Sequence, residues 1–440
     1  MLYWTSYHTG DVGEGGRLRV LVIGGGIGGF ATALSLHAVG VECEVFEQSR
    51  EIREPGVGIN VLPHATKELA GLGLLDALDA VGVRTHELIY TNRFGQEIWR
   101  EPRGIAAGYD FPQFSIHRGS LHGVLYAAAR QRIGPEHVHT GHQLVDFAQD
   151  EHGVTATLAR RNSSGAAVSV HGDVLVAADG IHSTVRHQLY PTEGPPSWNG
   201  VLMWRGAVEY PRFLTGRSMI IAGGLQQAKL VLYPISHQND PARPLLNWVV
   251  CVKLGDGSQP PPRREDWSRP GQLSDVLPHV QREFHLSTVD AEQVVRDTGQ
   301  CHEFPMCDRD PVPRWSFGRV TLLGDAAHPM YPVGSNGASQ AVLDARCLAP
   351  LLARTTDVPT ALRAYEAERL PATARIVHDN RRGGPERVID LVTERAPDGF
   401  TDLDKVATRA ELETIINEYS TMAGSTRHGA CSTSPHWTHG

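Results

Sequence analysis

Residues 18–29 have the sequence Leu-Arg-Val-Leu-Val-Ile-Gly-Gly-Gly-Ile-Gly-Gly, an apolar run that ends in a run of glycines. A short run rich in β-branched residues that stops at glycine is typical of a buried parallel strand. Residues 30–39 are rich in Ala and Leu and lack Pro, which predicts a helix that Gly40 closes. Residues 42–46 predict a second strand. The sequence therefore predicts a βαβ unit over residues 18–47, and with it an α/β fold.

The glycines at this strand end match the pattern G-x-G-x-x-G of dinucleotide-binding proteins. Gly24 would make the tight turn, Gly26 would let a pyrophosphate approach the backbone, and Gly29 would let the helix pack closely on the strand. Glu47 ends the second strand, 23 residues after Gly24, where its carboxylate can bind the ribose hydroxyls of an adenosine. A plain glycine turn is the alternative that this context disfavours. The pattern alone does not separate FAD from NAD.

A second motif follows another apolar run. Residues 174–178 predict a buried strand that delivers Asp179 and Gly180 to a turn, after which Ser183 and Arg186 open a helix. The motif therefore places a carboxylate at a strand tip. A simple helix cap is the alternative function of Asp179.

A third motif has the same design. Residues 319–323 predict a strand, and Gly324 and Asp325 follow it. A glycine-rich turn then leads through Gly337 and Ala338 into a helix. A carboxylate at a strand tip can accept hydrogen bonds from ribityl hydroxyls, and a helix N-terminus offers free amides to the isoalloxazine edge. These two motifs favour a flavin and predict FAD as the cofactor, with a plain turn residue as the alternative for Asp325.

Composition limits the classes of protein to which this chain can belong. Of the 440 residues, 41% are hydrophobic and 20% are charged, as in ordinary folded proteins. The net charge of −8 argues against binding to nucleic acid or to anionic membranes. The six cysteines form no C-x-x-C pair and the 22 histidines are scattered, so no metal site is predicted. No apolar run approaches the ~20 residues of a membrane helix, and residues 1–16 lack the features of a secretory signal, which predicts a cytoplasmic protein.

The order of strands and helices predicts two interleaved domains. Residues 200–253 show strands alone, as expected for a half-buried antiparallel sheet in which Trp204 and Arg205 fall on opposite faces. We expect a Rossmann-like FAD-binding domain with a parallel sheet and a β-meander, an antiparallel-sheet substrate domain, and C-terminal helices. The predicted ranges are 17–85, 115–190 and 296–380 for the FAD-binding domain, 86–114 and 191–295 for the substrate domain, 381–423 for the helical segment, and 1–16 and 424–440 for disordered termini.

The three motifs, in this order and spacing over about residues 18–380, resemble those of the class A flavoprotein monooxygenases, which hydroxylate aromatic rings. Five further segments are similar to the phenazine-hydroxylating members of that family, with the salicylate hydroxylases as more distant relatives. They are Gly-Val-Gly-Ile-Asn at 56–60, Pro-Gln-Phe-Ser-Ile-His-Arg-Gly at 112–119, Met-Trp-Arg-Gly at 203–206, Tyr-Pro-Ile at 233–235 and Met-Tyr-Pro-Val-Gly-Ser-Asn-Gly-Ala-Ser-Gln at 330–340. The family's more usual Gly-Gln-Gly is Gly-Ser-Asn-Gly at 334–337, and the tail after Asn380 fits the family poorly.

The resemblance implies FAD contacts at Glu47, Val57, Arg118, Asp325 and Ala338. It also implies that Asp179 and Arg186 serve both FAD and the NADH or NADPH that reduces it. In the family, O2 then adds to the reduced flavin as a C4a-hydroperoxide, whose oxygen passes to an electron-rich ring. Because only one dinucleotide pattern is present, the nicotinamide is expected to bind transiently. No catalytic base is predicted.

The strand-rich block of residues 200–300 is expected to cover a small aromatic substrate. The candidate lining residues are Trp204, Arg205, Tyr233 and Tyr331, with packing in the sheet as the alternative for the first two. The resemblance implies hydroxylation of a phenazine-carboxylate-like or salicylate-like acid, with or without loss of a carboxylate, in secondary metabolism. A flavin-binding protein, or a flavin oxidoreductase without oxygen transfer, is the alternative. A monomer or a homodimer is expected.

Overall fold

The structure is a computed structural model that describes residues 18–51, 57–160, 167–237, 240–263, 266 and 269–423. The predicted disordered termini, 1–16 and 424–440, lie outside these residues. The strands are β1 Arg19–Ile23, β2 Glu42–Glu47, β3 Gly58–Val61, β4 Gly82–Arg84, β5 Glu87–Thr91, β6 Glu97–Pro102, β7 Phe114–His117, β8 Val138–Thr140, β9 His142–Gln149, β10 Val154–Arg160, β11 Val168–Gly172, β12 Val174–Ala177, β13 Ser197–Glu209, β14 Ser218–Ala222, β15 Ala228–Ser236, β16 Leu245–Lys253, β17 Pro270–Gly271, β18 Cys301–Asp308, β19 Ser316–Phe317 and β20 Val320–Leu322. The helices are α1 Ile27–Ala38, α2 Pro63–Gly71, α3 Leu75–Val81, α4 Arg118–Ile133, α5 Thr184–Leu189, α6 Leu273–Glu283, α7 Ala291–Arg296, α8 Gly337–Ala353, α9 Val358–Arg381, α10 Arg387–Arg395 and α11 Arg409–Met422.

A largely parallel sheet carries the three motifs, in the strand order β19-β20-β12-β1-β2-β8. The predicted βαβ unit is confirmed, since β1 and β2 pair in parallel and α1 connects them. Helix α1 begins at Ile27, earlier than the predicted residue 30, because Gly28 and Gly29 already belong to it. Strands β1, β12 and β20 are neighbours and run parallel, so the motifs that follow them meet at one edge of the sheet.

The predicted β-meander is confirmed. Strands β9, β10 and β11 form the predicted antiparallel meander. The strands β3, β4 and β7, which precede the meander in the chain, form a small separate sheet. This sheet contributes Gly58 and Asn60 to the cavity described below.

The second large sheet has the strand order β17-β18-β13-β16-β15-β14-β5-β6. Residues 200–206 of β13 are buried at every position, so the expectation of a half-buried sheet is wrong there. The outer face of β13 packs in a cluster with α6 and α7, whereas its inner face lines a cavity. Strand β18 also belongs to this sheet and pairs with β13, so the sheet continues past the predicted boundary at residue 295. Every residue of β18 is buried, a pattern that also suits a strand of the parallel sheet.

C-terminal helices complete the fold. Helices α8 and α9 pack on the parallel sheet that carries the three motifs, and α10 and α11 pack on the inner face of the large sheet in a cluster that includes Leu88, Val388, Ile389 and Ile416. Within the described ranges, every helix is too short or too polar to span a membrane.

Candidate functional site

A cavity of about 310 Å³ separates the motif-bearing sheet edge from the inner face of the large sheet. The motif side contributes Gly26, Gly28, Gly180, Asp325, Gly337 and Ala338 to its wall. The large sheet contributes Met203, Arg205, Lys229, Val231, Tyr233 and Cys251. The cavity therefore brings together residues that are far apart in the chain, with backbone-rich turns on one wall and strand side chains on the other.

The first glycine turn is shaped as its sequence pattern requires. Gly24 has a φ of +103°, and a Cβ on it would overlap the carbonyl oxygen of Ala178. A Cβ on Gly29 would overlap the carbonyl oxygen of Gly24. A Cβ on Gly26 would meet no atom of the described residues within 4 Å, and this residue lines the cavity. The open position at Gly26, next to the start of α1, suits the approach of a pyrophosphate.

Glu47 braces this turn from the end of β2. Its Oε2 atom accepts a hydrogen bond from the Gly25 amide at 2.7 Å, and its Oε1 atom accepts one from the Ser49 amide at 2.7 Å. A carboxylate has about four lone-pair sites, so each oxygen can accept a further hydrogen bond. The carboxylate can therefore hold the turn and bind ribose hydroxyls at the same time.

Asp179 does cap a helix, as the alternative interpretation held. Its Oδ2 atom accepts hydrogen bonds from the amides of Thr184 at 2.8 Å and Val185 at 3.4 Å, at the start of α5. Its Oδ1 atom is buried and has no hydrogen-bond partner within the described residues. Burial raises the pKa of this carboxyl group. An unpartnered buried acceptor is costly, so a donor from a bound cofactor fits this position.

Arg186 lies beneath the cavity wall rather than on it. Its Nη1 atom donates to the carbonyl oxygens of Ala326 and Ala327, at 3.0 and 2.8 Å, and its Nη2 atom donates to that of Asp310 at 2.9 Å. Its Nε and Nη2 atoms also donate to the Glu193 carboxylate. These bonds use all five N–H groups of the guanidinium. The structure thus places Arg186 as a clamp between the second and third motifs, with no donor left for a nicotinamide.

Asp325 follows β20 and opens into the cavity. Within the described residues, neither carboxylate oxygen accepts a hydrogen bond. The surrounding protein raises the pKa of Asp325 by desolvation, an effect that the charges of His328 and Arg118 partly offset. A partly desolvated acceptor in a cleft suits the hydroxyls of a ribityl chain.

Arg118 and Val57 meet through the backbone. The Arg118 amide, at the start of α4, donates to the Val57 carbonyl at 2.9 Å. The Arg118 side chain lines the cavity, whereas the Val57 side chain is fully buried away from it. Arg118 is thus placed to meet an anionic part of a ligand, and Val57 holds the loop that precedes β3.

The turn before α8 offers backbone amides to the cavity. Gly334 and Ser335 both have positive φ values, of 66° and 58°. Helix α8 begins at Gly337, where a Cβ would meet nothing within 4 Å, and Ala338 follows on the cavity wall. Free amides at a helix N-terminus favour developing negative charge, which suits the flavin edge that becomes anionic on reduction. Together with Gly26, Asp179 and Asp325, this turn provides a site that fits FAD.

Three of the four predicted substrate-lining residues reach the cavity, namely Arg205, Tyr233 and Tyr331. Trp204 does not, because successive side chains of a strand point to opposite faces. Its indole packs in the outer cluster and stacks against the ring of His279, with 6.0 Å between the ring centroids. Packing, the alternative stated for Trp204, is what the structure shows.

Two polar groups at the site have no counterpart in the sequence prediction. Lys229 of β15 donates to both carboxylate oxygens of Glu386, at 3.0 and 2.8 Å, and both side chains are buried on the cavity wall. The one local signal is a lysine within the apolar run of β15. Its partner is 157 residues away and could not be inferred from spacing.

A second buried network supports the third motif. His328 Nε2 lies 2.6 Å from Asp344 Oδ2, which also accepts from the Gly324 amide at 3.1 Å. Arg369 Nε donates to Asp344 Oδ1 at 2.8 Å. Burial alone would raise the pKa of Asp344, but the charges of His328 and Arg369 lower it to about 2. The ionised carboxylate therefore fixes the turn that carries Asp325.

The fold and this cleft define a flavin-dependent oxidoreductase. Residues 17–380 match the family described as the FAD binding domain, and the chain belongs to that family. It is 46% identical to phenazine 1,6-dicarboxylic acid hydroxylase PhzS of Lysobacter antibioticus over 373 residues, 84% of this chain and 91% of that protein. It is 31% identical to 3-hydroxybenzoate 6-hydroxylase 1 of Aquipseudomonas alcaligenes over 364 residues, 81% and 86% of the two chains.

Solved structures share the fold. Klebsiella pneumoniae HpxO, complexed with FAD and uric acid, superimposes with a TM-score of 0.72 over 93% of this chain and 97% of that chain, at 23% sequence identity. The predicted fold class, the FAD cofactor and the resemblance to aromatic hydroxylases are thereby confirmed. The protein is an FAD-dependent monooxygenase, an enzyme class that uses NADH or NADPH and O2.

Proposed function

We propose that this enzyme hydroxylates a fused-ring aromatic carboxylate of the phenazine-carboxylate class. The observation that carries the proposal is the inner face of the large sheet. There, apolar side chains lie between the guanidinium of Arg205 and the phenol of Tyr90. The 46% identity to a phenazine 1,6-dicarboxylic acid hydroxylase supports the same substrate class. Hydroxybenzoates and salicylate are the smaller acids of the same chemical type.

Cross-strand register defines this face. Arg205 pairs with Val249, Val249 with Val231, Val231 with Ile221, and Ile221 with Tyr90. Since neighbouring strands lie about 4.8 Å apart, the three apolar residues span about 10 Å. A planar fused ring can lie along them with its carboxylate at the Arg205 guanidinium. A carboxylate is an acceptor to which a guanidinium can donate two parallel hydrogen bonds.

Different residues of the opposite wall are proposed to bind different parts of FAD. The glycine turn with Gly26 and Glu47 would bind the adenosine diphosphate half, Arg118 and Asp325 the ribityl region, and the amides at Gly337 and Ala338 the ring edge. When bound, FAD would supply the redox chemistry, as the acceptor of hydride from the nicotinamide and the group that activates O2. The protein orients the substrate ring against the flavin and excludes water from the cavity.

Asp179 and Arg186 are proposed to act at the contact with the nicotinamide in different ways. Asp179, whose Oδ1 atom has no hydrogen-bond partner among the described residues, is proposed to serve the flavin, and through it the transient contact with NADH or NADPH. Arg186 would act on that contact only through the turns that it clamps. A cytoplasmic location, and assembly as a monomer or a homodimer, stay predictions.

The test uses the purified holoenzyme with NADH or NADPH and four acids: phenazine-1-carboxylate, phenazine-1,6-dicarboxylate, 3-hydroxybenzoate and salicylate. We expect a phenazine acid to accelerate nicotinamide oxidation most and to gain one oxygen by mass spectrometry. Preference for a monocyclic acid would reject the fused-ring assignment. Rapid nicotinamide oxidation that yields only hydrogen peroxide with every acid would favour the alternative, a flavin oxidoreductase without oxygen transfer.

A further inference from the structure

Tyr419, on the last described helix, touches the turn that faces the flavin side of the cavity. Its ring tip lies against Gly334, where a Cβ would overlap the tyrosine hydroxyl. Helix α11, which carries Tyr419, lies beyond residues 17–380, the part of the chain that matches the family. The turn thus has a support that the family match does not include.

The Tyr419 hydroxyl links two buried asparagines. Asn336 Nδ2 donates to Tyr419 Oη at 2.7 Å, and Tyr419 Oη donates to Asn380 Oδ1 at 2.9 Å. Asn380 Nδ2 in turn donates to the carbonyl oxygen of Tyr331 at 3.0 Å. All three linked side chains are at most 5% exposed. The bonds form one directed chain that holds the turn at both of its ends, at Tyr331 and at Asn336.

This series of hydrogen bonds continues into the buried network of Asp344 and Arg369 that supports the third motif. Gln340 Nε2 donates to Asn336 Oδ1 at 3.3 Å, and Arg369 Nη2 donates to Gln340 Oε1 at 2.6 Å. Arg369 is also bonded to Asp344. The turn between these supports contains two successive residues with positive φ, Gly334 and Ser335, of which Ser335 pays a conformational cost for that geometry. Such backbone keeps its shape only where its surroundings determine it.

Tyr419 stays a hydroxyl donor at physiological pH. Burial raises the pKa of its phenol well above the ordinary value. Its proton therefore remains available for Asn380, and its oxygen for Asn336. The phenol therefore carries no charge near neutral pH.

We propose that Tyr419 is a positioning residue that fixes the turn 331–337 in the shape that orients the flavin ring for oxygen transfer. The inference rests on the proposed placement of the flavin edge at Gly337 and Ala338. Removal of the hydroxyl would leave Asn336 and Asn380 each without one buried partner and release the turn. FAD would remain bound through the first two motifs, but reduction and hydroxylation would no longer be tightly coupled.

The test compares Tyr419→Phe with wild type and with Tyr210→Phe. Tyr210 is a matched control because its hydroxyl accepts one hydrogen bond, from the Asp290 amide at 3.1 Å, on the outer side of the large sheet. In Tyr419→Phe we expect one FAD per chain and amide hydrogen exchange about 5- to 10-fold faster over residues 331–340, with and without FAD. We also expect a changed midpoint potential of the bound flavin and several-fold less product per nicotinamide oxidised. Tyr210→Phe should match wild type in all four measurements.

The proposal would be overturned if Tyr419→Phe and Tyr210→Phe did not differ in amide hydrogen exchange, in the midpoint potential of the flavin and in product yield. If Tyr419→Phe does not fold, the near-isosteric Asn380→Leu breaks the same chain and should reproduce the expected pattern. Failure of both variants to fold would assign the network to overall stability and would also overturn it. Absence of hydroxylation by the wild type would reject the proposed function, whereas the exchange and potential measurements would still decide the role of Tyr419.

Discussion

Asp325 is a carboxylate turned toward a cavity, and its two oxygens accept no hydrogen bond within the described part of the chain. Its position depends on the Gly324 amide, which Asp344 holds from below. The side chain itself is thus dispensable for the turn, and its value lies in what it can accept from a ligand. Because other residues hold the turn, a substitution of the Asp325 side chain tests ligand binding without disturbing the turn.

Replacing Asp325 by Asn should weaken FAD binding while leaving the fold intact. The amide keeps the size of the side chain but replaces one oxygen acceptor by an NH2 donor, and a lost buried hydrogen bond costs about 1–3 kcal/mol, so the dissociation constant should rise roughly 10- to 100-fold. Titration of the apoprotein with FAD, followed by flavin fluorescence, measures this. Asp146→Asn, an exposed position on β9, is the control. Equal affinities in the two variants would refute a cofactor role for Asp325.

At the scale of elements, strand β13 shows how one residue step changes function. Arg205 faces the cavity, and Trp204 faces the helices on the other side of the sheet. Both faces of the strand are buried at these positions, so hydropathy does not say which face is the site. Only the pairing with β16 and the position of α6 and α7 decide it.

Substitutions at these two neighbours should separate binding from stability. In Arg205→Gln, the loss of the guanidinium should raise KM for an aromatic acid by about 10- to 100-fold, because charged hydrogen bonds contribute about 1.5–3 kcal/mol, with FAD retained. In Trp204→Phe, lost packing should lower the free energy of unfolding by about 1–2 kcal/mol without a change in KM. Steady-state kinetics and urea unfolding measure both variants. A KM effect confined to Trp204→Phe would contradict this assignment of faces.

Some elements of the fold could be predicted because short sequence patterns determine them. The βαβ unit, the three motifs and the meander each lie within a few tens of residues, and their glycines and carboxylates occupy the expected turns. The ion pair of Lys229 with Glu386 and the contact of Asn336 with Tyr419 join residues 157 and 83 positions apart. No periodicity in a single sequence encodes such pairs, so the C-terminal wall of the site could not be foreseen.

Over the whole molecule, the C-terminal segment contributes Pro385 and Glu386 to the cavity wall, and α10 and α11 pack on the inner face of the large sheet. Asp390 of α10 lies near the buried Lys229–Glu386 pair, and burial together with the charge of Glu386 raises the pKa of Asp390 to about 6. The charge of Lys229 offsets this only in part. The stability of the folded protein is therefore coupled to protonation of Asp390 in the weakly acidic range.

The sign of this coupling gives a pH-dependent prediction. The pKa of Asp390 is higher in the folded protein than its ordinary value of 3.8, so its contribution to stability is complete below about pH 4 and is lost as the pH rises through 6. Asp390→Asn lacks this titration. The stability of wild type relative to the variant should thus fall by about 1–2 kcal/mol between pH 4.5 and 7.5.

Urea unfolding at both pH values measures this difference. Asp76→Asn, at an exposed position of α3, should show the same pH dependence as wild type. A constant difference between wild type and Asp390→Asn across the two pH values would show that the stability of the folded protein does not depend on this proton.

The meeting of three motifs at one sheet edge also has a consequence for biosynthesis. Strands β1, β12 and β20 end at Ile23, Ala177 and Leu322, so the cofactor cleft is encoded in the first, middle and last thirds of the chain. A nascent chain on the ribosome carries the glycine turn long before it carries Asp325. The three turns that line one wall of the cavity can therefore come together only after β20 has been synthesised and has joined the sheet, late in the synthesis of the chain.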